Sequence, residues 1–146
     1  MNLEVLTNLL GQNINSFEFI SYCKSHDINL GSVLPDSDGL TTYLELPEKG
    51  ICLTFEGYEE LWFYGFFLYS DGYDDYSEFQ SSILFNLNFG DTRESILSKL
   101  GESEFQSNLG EDHICVERWD MGKFKVHVTY SNKITLSLIS IFKPRD

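Results

Sequence analysis

The chain has 146 residues, of which 42% are hydrophobic and 15% aromatic, so it is long and apolar enough to form one domain with a substantial core. This composition excludes intrinsic disorder, and no apolar run approaches the roughly 20 residues of a membrane helix. The formal net charge of −13 argues against nucleic acid or an anionic membrane as a direct ligand, because both require basic groups on the protein. The opening stretch MNLEVLTNLL also lacks the charged region and cleavage site of a secretory signal.

The first half of the chain predicts helical segments followed by three strands. Two amphipathic stretches cover residues 3–10 and 15–26, and Asn15, three residues before Glu18, is the expected N-cap of the second. A loop, NLGSVLPDSDG, separates them from the strands. The strands are divided by the turns PEKG and GYEE, and their sequences are TTYLEL, ICLTFE and LWFYGFFLYS. The third is apolar on both faces, which is typical of a central strand.

The second half begins with a helix and again continues with three strands. In NFGDTRESILSKLGE, Asp91 is the expected N-cap, Glu94 the third helical residue and Gly101 the C-terminal stop. A polar loop is expected over residues 102–112. The predicted strands are ICVERWD, KFKVHVTY and ITLSLISIF, with turns at MG and SNK. The apolar phase of the last strand slips between Leu138 and Ile139, which predicts a β-bulge or burial of both faces.

This order of elements predicts an α+β fold in a single domain over residues 1–146. The domain is expected to contain two pseudo-repeated halves, about 1–80 and 81–146, each a helix plus a three-stranded antiparallel meander. The turns correspond in order, with Gly50 matching Gly122. Because a helix on one meander leaves a sheet face bare, the halves are expected to cover each other or to extend one six-stranded sheet.

The acidity belongs almost wholly to the first half. Residues 1–80 contain two basic and 14 acidic residues, a net charge of −12, whereas residues 81–146 contain eight basic and nine acidic residues, a net of −1. Solubility is one explanation of a high net charge, but so uneven a field favours steering of a cationic partner onto one face. The segment YSDGYDDYSEF, residues 69–79, interleaves acids with aromatics and is compatible with a metal loop, a surface turn or a docking patch.

The spacing of the acids in this segment disfavours a metal loop. A calcium loop of the EF-hand kind requires acids at alternating positions and a glycine at the sixth, whereas Gly72 directly follows Asp71. No cysteine or histidine pair has the spacing of a zinc site. We therefore expect neither a metal nor a cofactor.

The segment EDHICVE offers the best catalytic pair, His113 and Cys115, as base and nucleophile. No third group is placed to orient the imidazole, and the chain has no nucleophile elbow, HExxH or P-loop motif. The three cysteines, at positions 23, 52 and 115, are expected to be reduced and mostly buried, as in a cytoplasmic protein. We expect the protein to have no catalytic residues and not to be an enzyme. The rival hypothesis is a small enzyme that uses His113 and Cys115.

Protein binding agrees better with the aromatic residues. Aromatic side chains flanked by charges are the usual anchors of interfaces, because they combine a large rigid area with a polar tip. The acids are expected to pair with lysine or arginine of the partner, and to mimic phosphates if that partner binds nucleic acid. The residues predicted to bind the partner are Glu56, Glu59, Glu60, Asp71, Tyr73, Asp74, Asp75, Tyr76 and Glu78.

Residues 87–101, LNFGDTRESILSKLG, resemble the helix motif of BamE/SmpA-like and related small α+β domains. That motif consists of FG, one or two small polar residues, an amphipathic helix, and LG followed by a Glu-Pro-like pair. The matching residues are Phe89, Gly90, Thr92, Ile96, Leu100 and Gly101. Ser103 stands where proline is usual, and the lipoprotein signal of the outer-membrane members is missing, so the resemblance does not imply an envelope function.

More broadly, the chain resembles bacterial immunity proteins of polymorphic toxin systems, including those of contact-dependent growth inhibition. The resemblance lies in its size, its acidity, its aromatic-rich core and RWDMGKFKVHVTYS after an FG…LG helix. It implies a cytoplasmic antitoxin that binds one toxin domain, often a basic nuclease, and occludes its active site; it transfers no binding residue. We therefore expect this chain to be such an immunity protein and to be monomeric when it is free. The alternative is a non-catalytic structural or adaptor module that forms homodimers by burying LWFYGFFLYS at a sheet edge.

Overall fold

The computed structural model of the chain describes residues 1–31, 33, 41–131 and 134–145. Within these residues there are three α-helices: α1 Leu3–Asn8, α2 Phe17–Ser25 and α3 Arg93–Leu100. There are also seven strands: β1 Thr41–Leu46, β2 Ile51–Glu56, β3 Trp62–Tyr69, β4 Phe105–Ser107, β5 Val116–Asp120, β6 Lys125–Tyr130 and β7 Leu136–Phe142. The loop predicted at 29–39 and the turn predicted at 131–133 lie partly outside the described residues.

The strands form one antiparallel sheet in the order β1-β2-β3-β7-β6-β5-β4. Two meanders, β1–β2–β3 and β5–β6–β7, join where β3 pairs with β7. This confirms the predicted α+β class, whereas the pseudo-repeat stays a prediction. The short β4 was missed, since it lies in the expected loop at 102–112. The strand LWFYGFFLYS is paired on both sides, as expected of a central strand. The alternative hypothesis of a homodimer placed this strand at a sheet edge, and that placement is wrong.

One face of the sheet is covered by the helices, and the main core lies there. Alternate residues of a strand point to the same face, and those facing the helices are large and apolar. Fully buried members of this core include Phe19, Phe55, Phe63, Phe66, Ile96, Ile139 and Ile141. The Phe19 ring of α2 lies 5.7 Å from that of Phe55 and 5.0 Å from that of Phe63. These contacts hold α2 against the first meander.

The other side of the sheet, here called the open face, carries no α-helix among the described residues. The register places a row of side chains across all seven strands: Glu45, Cys52, Phe67, Ser140, His127, Arg118 and Phe105. A second, smaller apolar cluster lies on this face, formed by Cys52, Phe67, Tyr69, Tyr73, Tyr76 and Leu138. The apolar cluster therefore covers only the part of the open face formed by β2, β3 and β7, and the row beyond it is polar at His127 and Arg118.

The central strands β3 and β7 approach each other closely at Gly65. A Cβ atom at this position would lie 2.7 Å from the Ile141 carbonyl oxygen, so the pairing requires glycine. The register of β7 against β6 shifts where Tyr130 pairs with Leu136, which leaves Ser137 as the extra residue of a β-bulge. The bulge predicted for the last strand is therefore present, just before the expected slip.

Both predicted N-caps were wrong by one residue. The cap of α2 is Ser16 and not Asn15, and the cap of α3 is Thr92 and not Asp91; each hydroxyl accepts a backbone N–H of the first turn. Asp91 instead pairs with the Lys99 ammonium at 2.8 Å. Serine, threonine, asparagine and aspartate are all competent caps, so residue type alone does not distinguish neighbours. The predicted stop of α3 at Gly101 is confirmed.

A buried ionic network fastens α3 to the second meander. The Glu117 carboxylate, on β5, is fully buried and accepts hydrogen bonds from Arg93 Nε at 2.5 Å and from the Tyr130 hydroxyl at 3.0 Å. Arg93 also donates to Gln106 of β4 at 3.0 Å. Burial, and then the Glu117 charge, raise the pKa of Tyr130 above its ordinary value, so the phenol stays protonated and continues to donate. A buried carboxylate needs such partners to offset its lost hydration.

We expect Arg93→Gln to lower the free energy of unfolding by about 2 to 3 kcal/mol, because it leaves the Glu117 carboxylate buried without its cation. Urea denaturation followed by tryptophan fluorescence measures the change. Arg118→Gln is the matched control, since it removes an arginine from a partly exposed pair with Glu104 and should have a much smaller effect. Equal losses in the two variants would contradict the structural role of the network.

Candidate partner-binding site

The segment predicted as the docking patch, residues 69–79, folds back onto the open face. The Tyr76 ring stacks on Tyr69 with ring centroids 3.7 Å apart, and its hydroxyl donates to a Glu45 carboxylate oxygen at 3.2 Å. Tyr76 is only 5% exposed, and Tyr73 is half-buried with its ring 6.2 Å from that of Tyr69. The fold therefore occupies Tyr76, which does not present its ring to a partner as the prediction of an aromatic anchor requires.

The reason for this arrangement is the bare sheet beneath these rings. No α-helix covers Cys52 and Tyr69 in the described part of the chain, and the segment that follows β3 supplies the nearest aromatic side chains. Burial, and then the Glu45 charge, raise the pKa of the Cys52 thiol to about 12, and burial raises the pKa of Tyr69 to about 12. All members of the cluster are thus uncharged at neutral pH, and it packs as a small core.

The acids of the same segment point into solvent. Asp71, Asp74 and Asp75 are exposed and Glu78 is half-buried, and none of the four forms an ion pair with a described residue. Asp74 and Asp75 have left-handed backbones, with φ of 52° and 64°, which aspartate tolerates better than most residues. Within the described ranges, no three histidine, cysteine, aspartate or glutamate side chains converge as a metal site would require.

The remaining predicted residues lie at the opposite end of β3. Glu56 ends β2 and pairs with Arg145 at 2.5 Å, whereas Glu59 and Glu60 are exposed in the β2–β3 turn without an ion-pair partner among the described residues. At about 3.3 Å per residue, β3 separates this turn from the loop at 71–78 by about 23 Å. The nine residues therefore form two groups and not one continuous patch.

Exposed aromatic side chains gather near the β2–β3 turn, where they had not been predicted. Phe17 is 80% exposed, Tyr58 72% and Trp62 45%. The Ile14 N–H donates to the Leu61 carbonyl at 2.8 Å, which places the start of α2 beside the turn. The sequence GYEELW already combines two glutamates with Tyr58 and Trp62. Its assignment as a turn between two strands had accounted for that composition, so it was not considered as a binding site.

A groove of about 550 Å³ lies between α2 and this turn, and is called the α2 groove below. Six of the thirteen described residues that line it are aliphatic: Ile14, Ile20, Ile28, Leu30, Val33 and Leu61. Cys23 lies at its base, where burial raises the pKa of the thiol to about 11. Glu59, Glu60 and Lys24 also line it, so the α2 groove has an apolar floor with charged groups around it.

The second candidate site, the pair His113 and Cys115, has the geometry of a packed thiol. The Cys115 Sγ donates to the Asn108 carbonyl at 3.2 Å and lies 3.8 Å from His113 Nε2. The shorter contact directs the thiol proton to the carbonyl. Among the described residues, no carboxylate contacts the His113 ring, so the orienting group of a nucleophile and base pair is not seen there.

Comparisons of the chain with protein-family models, with curated proteins and with solved structures find no match. Of the helices in the described ranges, none has the length and apolar character needed to cross a membrane. Three features of the molecular surface therefore bear on function: the two acidic groups, the exposed aromatics and the α2 groove.

The raised thiol pKa values predict slow modification of Cys23 and Cys52 in the native protein. At pH 8 a thiol of pKa 11 is about 0.1% ionised, and only the thiolate reacts with a disulfide reagent. We expect both residues to react at least about 100-fold more slowly than in the urea-unfolded chain, with the rate rising as pH increases. The variants Cys23→Ala and Cys52→Ala show which kinetic phase of the reaction belongs to which thiol. Native rates within tenfold of the unfolded ones would contradict the described burial.

Substitutions in the loop separate its structural residues from its surface residues. We expect Tyr76→Ala to lower the free energy of unfolding by about 2 to 3 kcal/mol, because it removes a ring that covers Tyr69 and Cys52. The double variant Asp74→Asn with Asp75→Asn should leave stability unchanged, since asparagine also tolerates the left-handed backbone. Urea denaturation measures both. A stable Tyr76→Ala variant would show that the ring is not part of the core.

Proposed function

We propose that the chain is a cytoplasmic immunity protein that binds a cognate toxin domain and occludes its active site, without enzymatic activity of its own. The observation that carries the proposal is the set of exposed carboxylates without ion-pair partners in the described structure. The members among the residues predicted to bind the partner are Glu59, Glu60, Asp71, Asp74 and Asp75, and further exposed, unpaired acids lie in both halves of the described chain. These five are the ones considered for binding. They belong to the half of the chain with a net charge of −12, in which acids outnumber bases 14 to two.

Such a surface suits a basic partner for electrostatic reasons. Enzymes that cleave nucleic acids bind phosphates with lysine and arginine, so their active-site clefts are positively charged. A protein that presents carboxylates to the cleft can replace the phosphates, and its negative field increases the rate of encounter. A stable complex also needs roughly 800 Å² of contact on each partner, which a sheet of seven strands and its loops can supply.

The architecture is compatible with the proposed pseudo-repeat. Each meander joins the centre of the sheet through its third strand, β3 or β7, and each packs a helix on the same face. We propose that residues 1–80 and 81–146 are diverged copies of one helix-plus-meander unit, to which the first half has added α1 and the second β4.

Expression with a candidate toxin tests the proposed function. The candidate is the variable, basic C-terminal domain of a large secreted or surface protein encoded immediately upstream of this chain. We expect that domain to stop bacterial growth when expressed alone, and this chain to restore growth and to copurify with it in a stoichiometric complex. Restored growth without a complex, or a complex without restored growth, would contradict neutralisation by direct occlusion.

The same complex should show a strong dependence on salt. Raising the salt concentration from about 50 to about 500 mM shortens the Debye length about threefold, so steering by the acidic half is screened. We expect the association rate to fall steeply over this range while the dissociation rate changes less. Stopped-flow fluorescence of Trp62 and Trp119 provides the measurement. An association rate independent of salt would contradict electrostatic steering.

A further inference from the structure

The α2 groove has properties that a solvated surface depression does not need. Its aliphatic side chains Ile14, Ile20 and Leu30 are only partly buried, and Ile14 and Leu30 pack against the main core. Its two walls are fixed to each other, because the Ile14 N–H donates to the Leu61 carbonyl at 2.8 Å. The Ile28 N–H likewise closes the end of α2 on the Cys23 carbonyl at 2.8 Å. These two hydrogen bonds fix the backbone of the segments that line the groove.

The charges around the groove select the chemistry of what binds there. Glu59 and Glu60 are adjacent, exposed and without an ion-pair partner among the described residues. Two neighbouring carboxylates repel each other, and a cationic group between them relieves that repulsion. An anionic ligand is disfavoured by the same charges. Lys24, on α2, is the one basic residue among the described groups that line the groove.

We propose that the α2 groove binds a segment of the toxin in which large apolar side chains are flanked by lysine or arginine. This inference rests on the proposed function and assigns its contact surface to the β2–β3 turn. The volume of about 550 Å³ lies within the range of about 300 to 1,000 Å³ that is typical of binding pockets. The apolar side chains fill the floor, the basic groups pair with Glu59 and Glu60, and the exposed Phe17 and Tyr58 border the contact.

In the proposed complex the two acidic groups have different roles. The carboxylates at 71–78 lie about 23 Å from the turn along β3, at about 3.3 Å per residue, which is beyond the reach of a segment seated in the groove. They contribute to the general negative field. Glu59 and Glu60 are direct contacts, so the two groups should respond differently to matched substitutions.

A synthetic peptide with two leucines between pairs of arginines is the probe, titrated into the full isotope-labelled chain and followed by NMR. We expect saturable shifts of backbone amides at 14–31 and 59–61. A peptide with serines in place of the leucines should bind at least about tenfold more weakly, because it has no apolar group for the floor. Shifts that map elsewhere, or equal binding of the two peptides, would overturn the proposal.

Two double variants with equal charge change provide the matched comparison. Glu59→Gln with Glu60→Gln should weaken binding of the leucine peptide about tenfold, whereas Asp74→Asn with Asp75→Asn should change it less than about twofold. All four residues are exposed, so both variants are expected to fold, and circular dichroism verifies this. Equal weakening by the two variants would mean attraction by net charge alone and would overturn the assignment of the groove.

Rescue of toxin-arrested growth by this chain distinguishes failure of this inference from failure of the proposed function. If the natural chain rescues growth and Glu59→Gln with Glu60→Gln binds the toxin as tightly as the natural chain, the immunity function holds and the groove is not its contact. If the peptide binds the groove as described but no rescue or complex is found, the groove inference holds for its ligand chemistry and the immunity function is wrong.

Discussion

The pairing of β3 with β7 is the contact on which the rest of the structure depends. Five residue pairs, from Gly65 with Phe142 to Tyr69 with Leu138, turn two separate meanders into one sheet. The strands come so close at Gly65 that a side chain there would meet the backbone of β7. Both strands are then flanked by neighbours on each side, so neither has a free edge. Joining the meanders at their third strands also brings α2 and α3 to the same face, where a single core forms between them and the sheet.

This arrangement explains the composition of the segment that follows β3. The strand ends at Tyr69 on the open face, where no α-helix of the described chain covers the apolar cluster. A loop leaving that point must supply apolar cover on its inner side and remain hydrated on its outer side. Tyr76 provides the cover and Asp74 and Asp75 the hydrated surface. The mixture of acids and aromatics thus has a structural cause, and it does not by itself indicate a docking patch.

The strands could be predicted because their signals are local. LWFYGFFLYS and ITLSLISIF are apolar on both faces, as central strands must be, and they are the two strands that meet at the centre. Their pairing with each other was beyond prediction, because it joins residues about 70 positions apart and no local pattern encodes the choice of partner. The caps at Ser16 and Thr92 were missed for another reason, since their neighbours are equally competent. The three residues of β4 are too few to show a period.

The candidate site was less predictable than the fold, because residue type says which side chains bind well and only tertiary structure says which are exposed. The sequence favoured Tyr76, which the fold covers, and passed over Phe17 and Tyr58, which it exposes. Phe17 is the first residue of α2. At this position the spacing of apolar residues along the helix does not determine whether an aromatic side chain faces the core or the solvent. Tyr58 lies in a turn that strand assignment had already explained.

The proposed partner would meet the two acidic groups, at opposite ends of one strand, over different ranges. At physiological ionic strength the Debye length is about 8 Å, well short of the roughly 23 Å between the loop at 71–78 and the β2–β3 turn. In the proposed complex, a basic segment seated at the turn would therefore form its short-range ion pairs with Glu59 and Glu60, which would govern its rate of dissociation. The loop carboxylates would act before contact, when their charge adds to that of the whole acidic half and orients an approaching basic surface. Under this proposal, charge too distant for a direct contact still directs the partner to the correct side of the molecule.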